Sequence, residues 1–438
     1  MYNAIAIEEL GKPAVAVTNQ TYLFEGGSAA SSQGMPGVRV VWDSIHSEEW
    51  VDESDPPETL VGRIDPLIDD IVKALTRPLN TEEASPRMKE PEKPARIVFQ
   101  GDLSEVNQFF YRRGWGDGLP LVPPTEEAVA EMMTGTDLPA DHIVARIGPR
   151  LGKATVERIA INAVMAGALP THLPVIIAGV RALSERASRF DNYQDSQGSW
   201  VPFWVINGPI RKDVHVNCGV GPLSPGDIAN VAIGRALELI IINIGGIRKG
   251  IEDAGAFGSP GKFALVMGEN EEESPWEPWH VERGFKRDES TLTLTFPNVF
   301  NWTFPWETGT EAVVASLAGA IRGFGMTWFV IPPGTARILA QAGYTKQKVK
   351  EYVVTHASPP ARPMPARPAD AKAPPRSPMA PDPDHFAVIV SGGPGGMYIP
   401  SGAWLQWQEW VVKKIDLPAN WGKIVAKYKG LVPKYAKY

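Results

Sequence analysis

Ser224-Pro225-Gly226-Asp227, followed by Ile228-Ala229-Asn230-Val231-Ala232-Ile233-Gly234-Arg235-Ala236-Leu237-Glu238-Leu239-Ile240-Ile241-Ile242-Asn243-Ile244-Gly245, is the stretch that decides the fold. Ser at the N-cap, Pro at the first position and Asp at the third make a helix start. The helix is expected to run to about Gly245. It is apolar on nearly all sides around Ile240 to Ile242, the pattern of a central, buried helix.

Working outward, Phe263–Gly268 and Thr291–Phe296 read as strands. Ala154–Ala166, Leu173–Leu183, Glu311–Ile321, Thr335–Gln341 and Lys346–Tyr352 read as helices. Near the start, Pro13–Val17 and Gly37–Trp42 are strands, Ser28–Gln33 is a short helix or turn, and Leu60–Leu75 is an amphipathic helix. Phe386–Val390 is a strand far from the others, so it is expected to dock back onto their sheet. The fold class is therefore α/β. The expected organisation is a small N-terminal α/β domain (1–80), a charged linker (81–96) and a main α/β domain around the buried helix (97–356). A Pro/Ala-rich tether (357–384) and a C-terminal strand with a GGPGG loop and basic tail (385–438) complete it. No internal repeat is visible in the sequence.

Composition narrows the function classes. Of 438 residues 43% are apolar and 21% charged, as in a globular chain. The 43 Lys and Arg against 50 Asp and Glu leave a net charge of −7, which argues against a nucleic-acid partner. Basic residues gather only beyond Val411, in a tail with Trp421, Tyr428, Tyr435 and Tyr438 that either touches an acidic partner or is simply solvated. The single Cys218 excludes an intrachain disulfide and points to a cytoplasmic location. The N-terminus, with Glu8 and Glu9, lacks the apolar core of a secretory signal. The most apolar window is interrupted by Arg235 and Glu238, so no membrane span is expected.

Three segments carry candidate chemistry. In Gly114-Trp115-Gly116-Asp117-Gly118, two glycines place the Asp117 carboxylate on an exposed turn, where it acts on substrate or only ties the turn. In Asn217–Ser224, a Gly-rich run ahead of a helix offers free N–H groups to an anion, and Cys218 is either a thiol activated at that helix start or a small buried hydrophobe. The third segment, Gly268-Glu269-Asn270-Glu271-Glu272-Glu273-Ser274-Pro275-Trp276-Glu277-Pro278-Trp279-His280-Val281-Glu282-Arg283, follows a strand. Its acids emerge where α/β sheets bind ligands. Glu272, Glu277, His280 and Glu282 could supply a general base or ligands for a divalent metal, while Glu269 and Arg283 could form an ion pair. Glu157 and Asn162 interrupt an apolar helix, as structural or supporting groups. The expected catalytic set is His280, Asp117, Glu272 and Glu277, with His280 carrying the proton. Trp115, Asn217, Cys218, Ser224, Asn270, Trp276, Arg283, Gly395 and Gly396 are expected to bind substrate in one concave pocket.

Taken together, GWGDGLPLVPPTEEAV (114–129), ATVERIAINAVMAGALPTHLPVIIAGVRAL (154–183) and GPLSPGDIANVAIGRALELIIINIGG continuing to SPGKFALVMGENEEESPWEPWHVERGF (221–285), with IEELGKPAVAVTNQTYL (7–23), resemble the UGSC-motif selenoprotein-like family. The N-terminal part is similar, more weakly, to the selenocysteine-bearing subunit of glycine reductase. The family's Sec- or Cys-containing (U/C)GSC motif precedes the strand matching PAVAVTNQ and is not found here, and Ala168 stands where family members tend to have Cys. The resemblance therefore implies redox chemistry on a small organic molecule, with the thiols brought by a second, smaller subunit. The alternatives are a metal-dependent oxygenase, hydrolase or lyase using the Glu/His loop, and a non-catalytic scaffold.

Overall fold

In the computed structural model, residues 2–18, 26–27, 30, 35, 37–43, 57–81, 83, 95–190, 193, 196–321, 325–357, 382–402 and 409–431 are described. The protein is mixed α/β, with 41% helix, 16% strand and several small sheets. Residues 358–381 of the tether and nearly all of Ser28–Gln33 lie outside the described residues.

The N-terminal unit holds helix α1 (Tyr2–Glu9), parallel strands β1 (Val15–Thr18) and β2 (Arg39–Trp42), and helix α2 (Pro57–Thr76). Glu83, assigned to the linker, is instead held by Arg39 and Arg77. The hydrogen bond from Arg39, with smaller contributions from the Asn80 amide and Arg77, holds its carboxyl down to about 2.

Next come α3 (Leu103–Arg113), α4 (Glu126–Met133), the hairpin β3 (Ile143–Ile147) and β4 (Gly152–Thr155), α5 (Val156–Met165) and α6 (Leu173–Leu183). Strand β5 (Phe203–Asn207), short helix α7 (Ile210–Asp213), the central α8 (Ile228–Ile240), β6 (Val266–Gly268), short helix α9 (Trp279–Glu282), β7 (Thr291–Thr295) and β8 (Val299–Thr303) follow. Then come α10 (Thr310–Gly319), β9 (Thr327–Ile331), α11 (Pro333–Gln341), α12 (Lys346–His356), β10 (Phe386–Val390), β11 (Met397–Ser401), β12 (Val411–Lys414) and α13 (Trp421–Tyr428).

Two four-stranded sheets, ordered β12-β7-β5-β6 and β10-β9-β11-β8, pack face to face. Alternation along each strand shows the layering. Trp204 and Ile206 of β5 face a core made with α5, α6 and α8, while Phe203 and Val205 meet Trp328, Val330, Ala387 and Ile389 of the other sheet. Phe329 and Ile331 then face away, toward α10, α11 and α12. The result is four layers, helix–sheet–sheet–helix. Both sheets are therefore covered on both faces, and β5, β7, β9 and β10 are buried along their whole length.

The two sheets are built by one rule, a repeat invisible in the sequence. In each, the first strand (β5 or β9) has a parallel neighbour reached by a helical crossover (β6 or β10) and an antiparallel neighbour on its other side (β7 or β11). The fourth strand then crosses to the opposite sheet, β8 pairing with β11 and β12 with β7. The C-terminal segment thus completes both sheets.

The central helix is buried as expected, but it begins at Ile228 with Asp227 as N-cap, and Ser224 caps nothing. Gly226, at φ +129, lies outside helical geometry and postpones the start. A π-turn, Ile241–Gly245, ends it. By length and mean hydropathy, 1.6 over 18 residues, Ile228–Gly245 could cross a membrane, but 67% of it is buried against the rest of the chain. The basic tail pairs with the chain's own acids: Lys413 with Glu185, Lys414 with Glu289 and Lys427 with Glu131.

Candidate functional site

The parallel strands β5, β6, β9 and β10 end at the same end of the sandwich. There the Asn270 N–H donates to Val390 O, and the Ser391 hydroxyl donates to Cys218 O and Gly268 O. Beyond β5 the chain turns at Gly208, whose φ is +84 and where a Cβ would stand 2.2 Å from Glu289 O, so only glycine fits. This turn launches α7, which carries Arg211 and Lys212. After β6 the chain delivers Glu269, Glu271 and Glu272 to the same place.

Arg211 organises the site. Its side chain is only 3% exposed. Nε donates to Gly208 O at 3.0 Å and Nη1 to Glu269 O at 2.5 Å. Nη2 lies 3.0 Å from Glu271 Oε2 and 3.2 Å from Glu272 Oε1, and Nη1 is 3.9 Å from the Cys218 Sγ. Lys212 also reaches Glu272, at 2.9 Å. Burial alone would raise the Glu272 carboxyl, but Arg211 and Lys212 outweigh it and hold the group down to about 2. Burial pushes the Cys218 thiol up, Arg211 pulls it the other way, and Glu272 and Glu271 add to the rise. The net push is upward, opposite to the activation that a helix start would give.

Arg211, Lys212, His215, Val216, Asn217, Cys218, Asp227 and Glu272 line a pocket of about 320 Å3. A second hollow of about 270 Å3 beside it is walled by Glu271, Glu272 and Arg287. His215, with φ +57, has an Nε2 that is buried and without a partner. A larger groove, about 790 Å3, lies along α3 and residues 116–121, but its only charged lining residues are Asp102 and Arg112. Asp102 is the N-cap of α3.

Of the expected catalytic set, only Glu272 lines the pocket. Asp117 is no free carboxylate: Oδ2 and Oδ1 receive Arg235 Nε at 2.7 Å and Nη2 at 3.0 Å, and Oδ1 also ties the Leu119 N–H. Its oxygens tie the turn to the central helix. Arg235 belongs to α8 on the outer side of the first sheet, whereas His280 follows Trp279, which is buried between the sheets. The structure does not bring Asp117 and His280 together. His280 is fully buried, its Nδ1 is 3.8 Å from Glu271 Oε1, and neither ring nitrogen has a hydrogen-bond partner. His280 is not on the pocket lining, and Glu271 walls only the second hollow. Glu277 points outward, 4.0 Å from Arg287.

The substrate-binding set divides similarly. Asn217 and Cys218 line the pocket, but the Asn217 amide is spent on Asp227, Val220 O and the Gly219 N–H. Ser224 is exposed in the turn before α8. Trp115 packs on Phe109 and Phe110. Asn270 closes a turn with the Glu273 N–H, and Trp276 donates to Tyr344 O. Arg283 lies over the Trp279 ring at 5.2 Å and makes no pair with Glu269, whose cation is Lys346 at 3.4 Å. Gly396 lies under Trp302, where a Cβ would come within 2.4 Å of the indole, and a Cβ on Gly395 would meet open space. Asn162 bonds Asn243, which holds Trp115 O, and Glu157 pairs with Arg96.

Glu269, fully buried, receives the Asn207 amide at 2.6 Å and the Trp279 N–H at 2.7 Å besides Lys346. Sequence reading missed Arg211, Lys346 and Glu271, and expected Arg283 rather than Lys346 as the partner of Glu269. For Arg211 the only signal was a charged residue just after an apolar run, FWVINGPI, not recognised as a strand. Among the described residues, no group of three or more His, Cys, Asp or Glu side chains is placed to hold a metal ion. No protein family, curated protein or solved structure matches the chain.

Proposed function

We propose that this chain is the substrate-holding component of a multi-component cytoplasmic oxidoreductase that acts on a small organic molecule, with redox thiols brought by a smaller partner. The observation that carries this reading is the state of Cys218. The chain's one thiol stands in a pocket wall beside a buried arginine, with no second cysteine in the sequence to pair with. A thiol–disulfide cycle needs a second thiol, which must come from outside this chain. The resemblance of residues 114–129, 154–183 and 221–285 to the UGSC-motif family supports the same division of labour.

In this reading Arg211 and Lys212 orient the substrate, and Glu272 and Cys218 border it. Asp117 and Glu277 have no part in the chemistry. The test is co-expression with any short neighbouring reading frame that encodes Cys-Gly-Ser-Cys. A complex of fixed stoichiometry, with dithiol-dependent turnover that neither component shows alone, is expected. Full turnover by this chain by itself would remove the proposal.

A further inference from the structure

Of the two carboxylates on Arg211, Glu271 and Glu272, the more exposed one faces the pocket. Glu272 lays its carboxylate across both Nη atoms of Arg211, at 3.3 and 3.2 Å, and against Lys212 at 2.9 Å. Its side chain is 43% exposed, whereas that of Arg211 is 3% exposed. Arg211 is fixed independently by Gly208 O, Glu269 O and Glu271. If Glu272 swings out, the guanidinium keeps its place and presents two N–H donors to a pocket of about 320 Å3. Planar, forked donation of this kind matches a carboxylate.

We propose that Glu272 is a built-in stand-in for a substrate carboxylate: a small organic carboxylate displaces it from Arg211 and Lys212 and comes to rest beside Cys218. Exchanging one carboxylate for another leaves the charge of the site unchanged, so neither state buries a bare ion. Asp227, on the same lining, does not compete, because it accepts the Asn217 amide at 2.8 Å. His215 also lines this pocket. This inference rests on the pocket being the substrate site and names the class of substrate it takes.

Cys218 is the chain's only cysteine, so its alkylation reports on this pocket alone. Iodoacetate carries a carboxylate and iodoacetamide does not, while the same thiolate displaces iodide from both, so the ratio of their rates cancels the thiol's own titration. In the full chain at one fixed pH, the iodoacetate-to-iodoacetamide ratio should exceed that of glutathione. It should rise roughly tenfold in Glu272→Gln, the scale of one charge-assisted hydrogen bond, and fall toward the glutathione value in Arg211→Lys. Acetate should slow iodoacetamide labelling of the unmodified protein, a measurement that needs no variant to fold. A glutathione-like ratio in both the native protein and Glu272→Gln overturns the proposal, and so does protection by inorganic phosphate without protection by acetate. A carboxylate-selective pocket with no partner-dependent turnover would sink the oxidoreductase reading and leave this site standing; the reverse result would do the opposite.

Discussion

Arg235 and Asp117 join the central helix to the glycine turn 114–118 through two hydrogen bonds, 2.7 and 3.0 Å, with side chains only 13% and 4% exposed. The same guanidinium caps Leu119 O and Pro120 O. The pair is a structural rivet, and its distance from the Arg211 pocket makes the two separable by experiment.

Asp117→Ala and Arg235→Ala should each lower stability by about 3 kcal/mol, since each strands a buried charge. The double variant should cost clearly less than the sum. Chemical denaturation gives all three values. Cys218 labelling should be unchanged in variants that remain folded.

Lys346 and Glu269 form another buried ion pair, with side chains 7% and 0% exposed. Lys346→Met should destabilise by roughly 3–5 kcal/mol by leaving Glu269 without its cation. Adding Glu269→Gln should recover part of that loss, which a urea midpoint comparison reads directly.

Glu238, on α8 beside Phe190, Trp200 and Phe296, is pushed up to about 8 by burial, with Lys262 opposing and Asp253 and Asp117 adding. Its unfolded value is 4.5. Between those values the folded protein holds a proton that the unfolded chain releases, so stability falls as pH rises from about 4.5 to 8. Glu238→Gln should flatten that slope and raise stability at pH 8 by ~1 kcal/mol or more. An unchanged pH profile in the variant would contradict the assignment.

Glycine substitutions should rank by what surrounds them. Gly208→Ala combines φ +84 with a backbone carbonyl 2.2 Å from the new Cβ and should cost most. Gly396→Ala meets the Trp302 side chain, itself 63% exposed and free to shift, and the Thr303 carbonyl at 2.7 Å, a looser backbone clash than that at Gly208 and without its positive φ. Thermal unfolding should place the first loss well above the second.

Helices were legible where a periodic stripe met a cap. Leu173–Leu183 and Phe386–Val390 are read from the sequence with their observed bounds. Strands β5 and β9 were not seen, because Phe203–Asn207 and Thr327–Ile331 are buried on both faces and lose the alternation that marks a half-exposed strand. The acidic loop 269–283 was singled out by its density of charge, but density says nothing about direction: Glu269 turns inward, Glu272 faces the pocket and Glu277 faces water.

Local pattern and composition alone thus determined the mixed α/β class, the buried central helix and the lone cysteine. The exchange of β8 and β12 between sheets, and the meeting of Arg211 with Glu271, Glu272 and Cys218, were decided by tertiary structure. Strand pairing and ion pairing join residues tens to hundreds of positions apart. Their energies depend on distance and burial, neither of which a one-dimensional pattern contains.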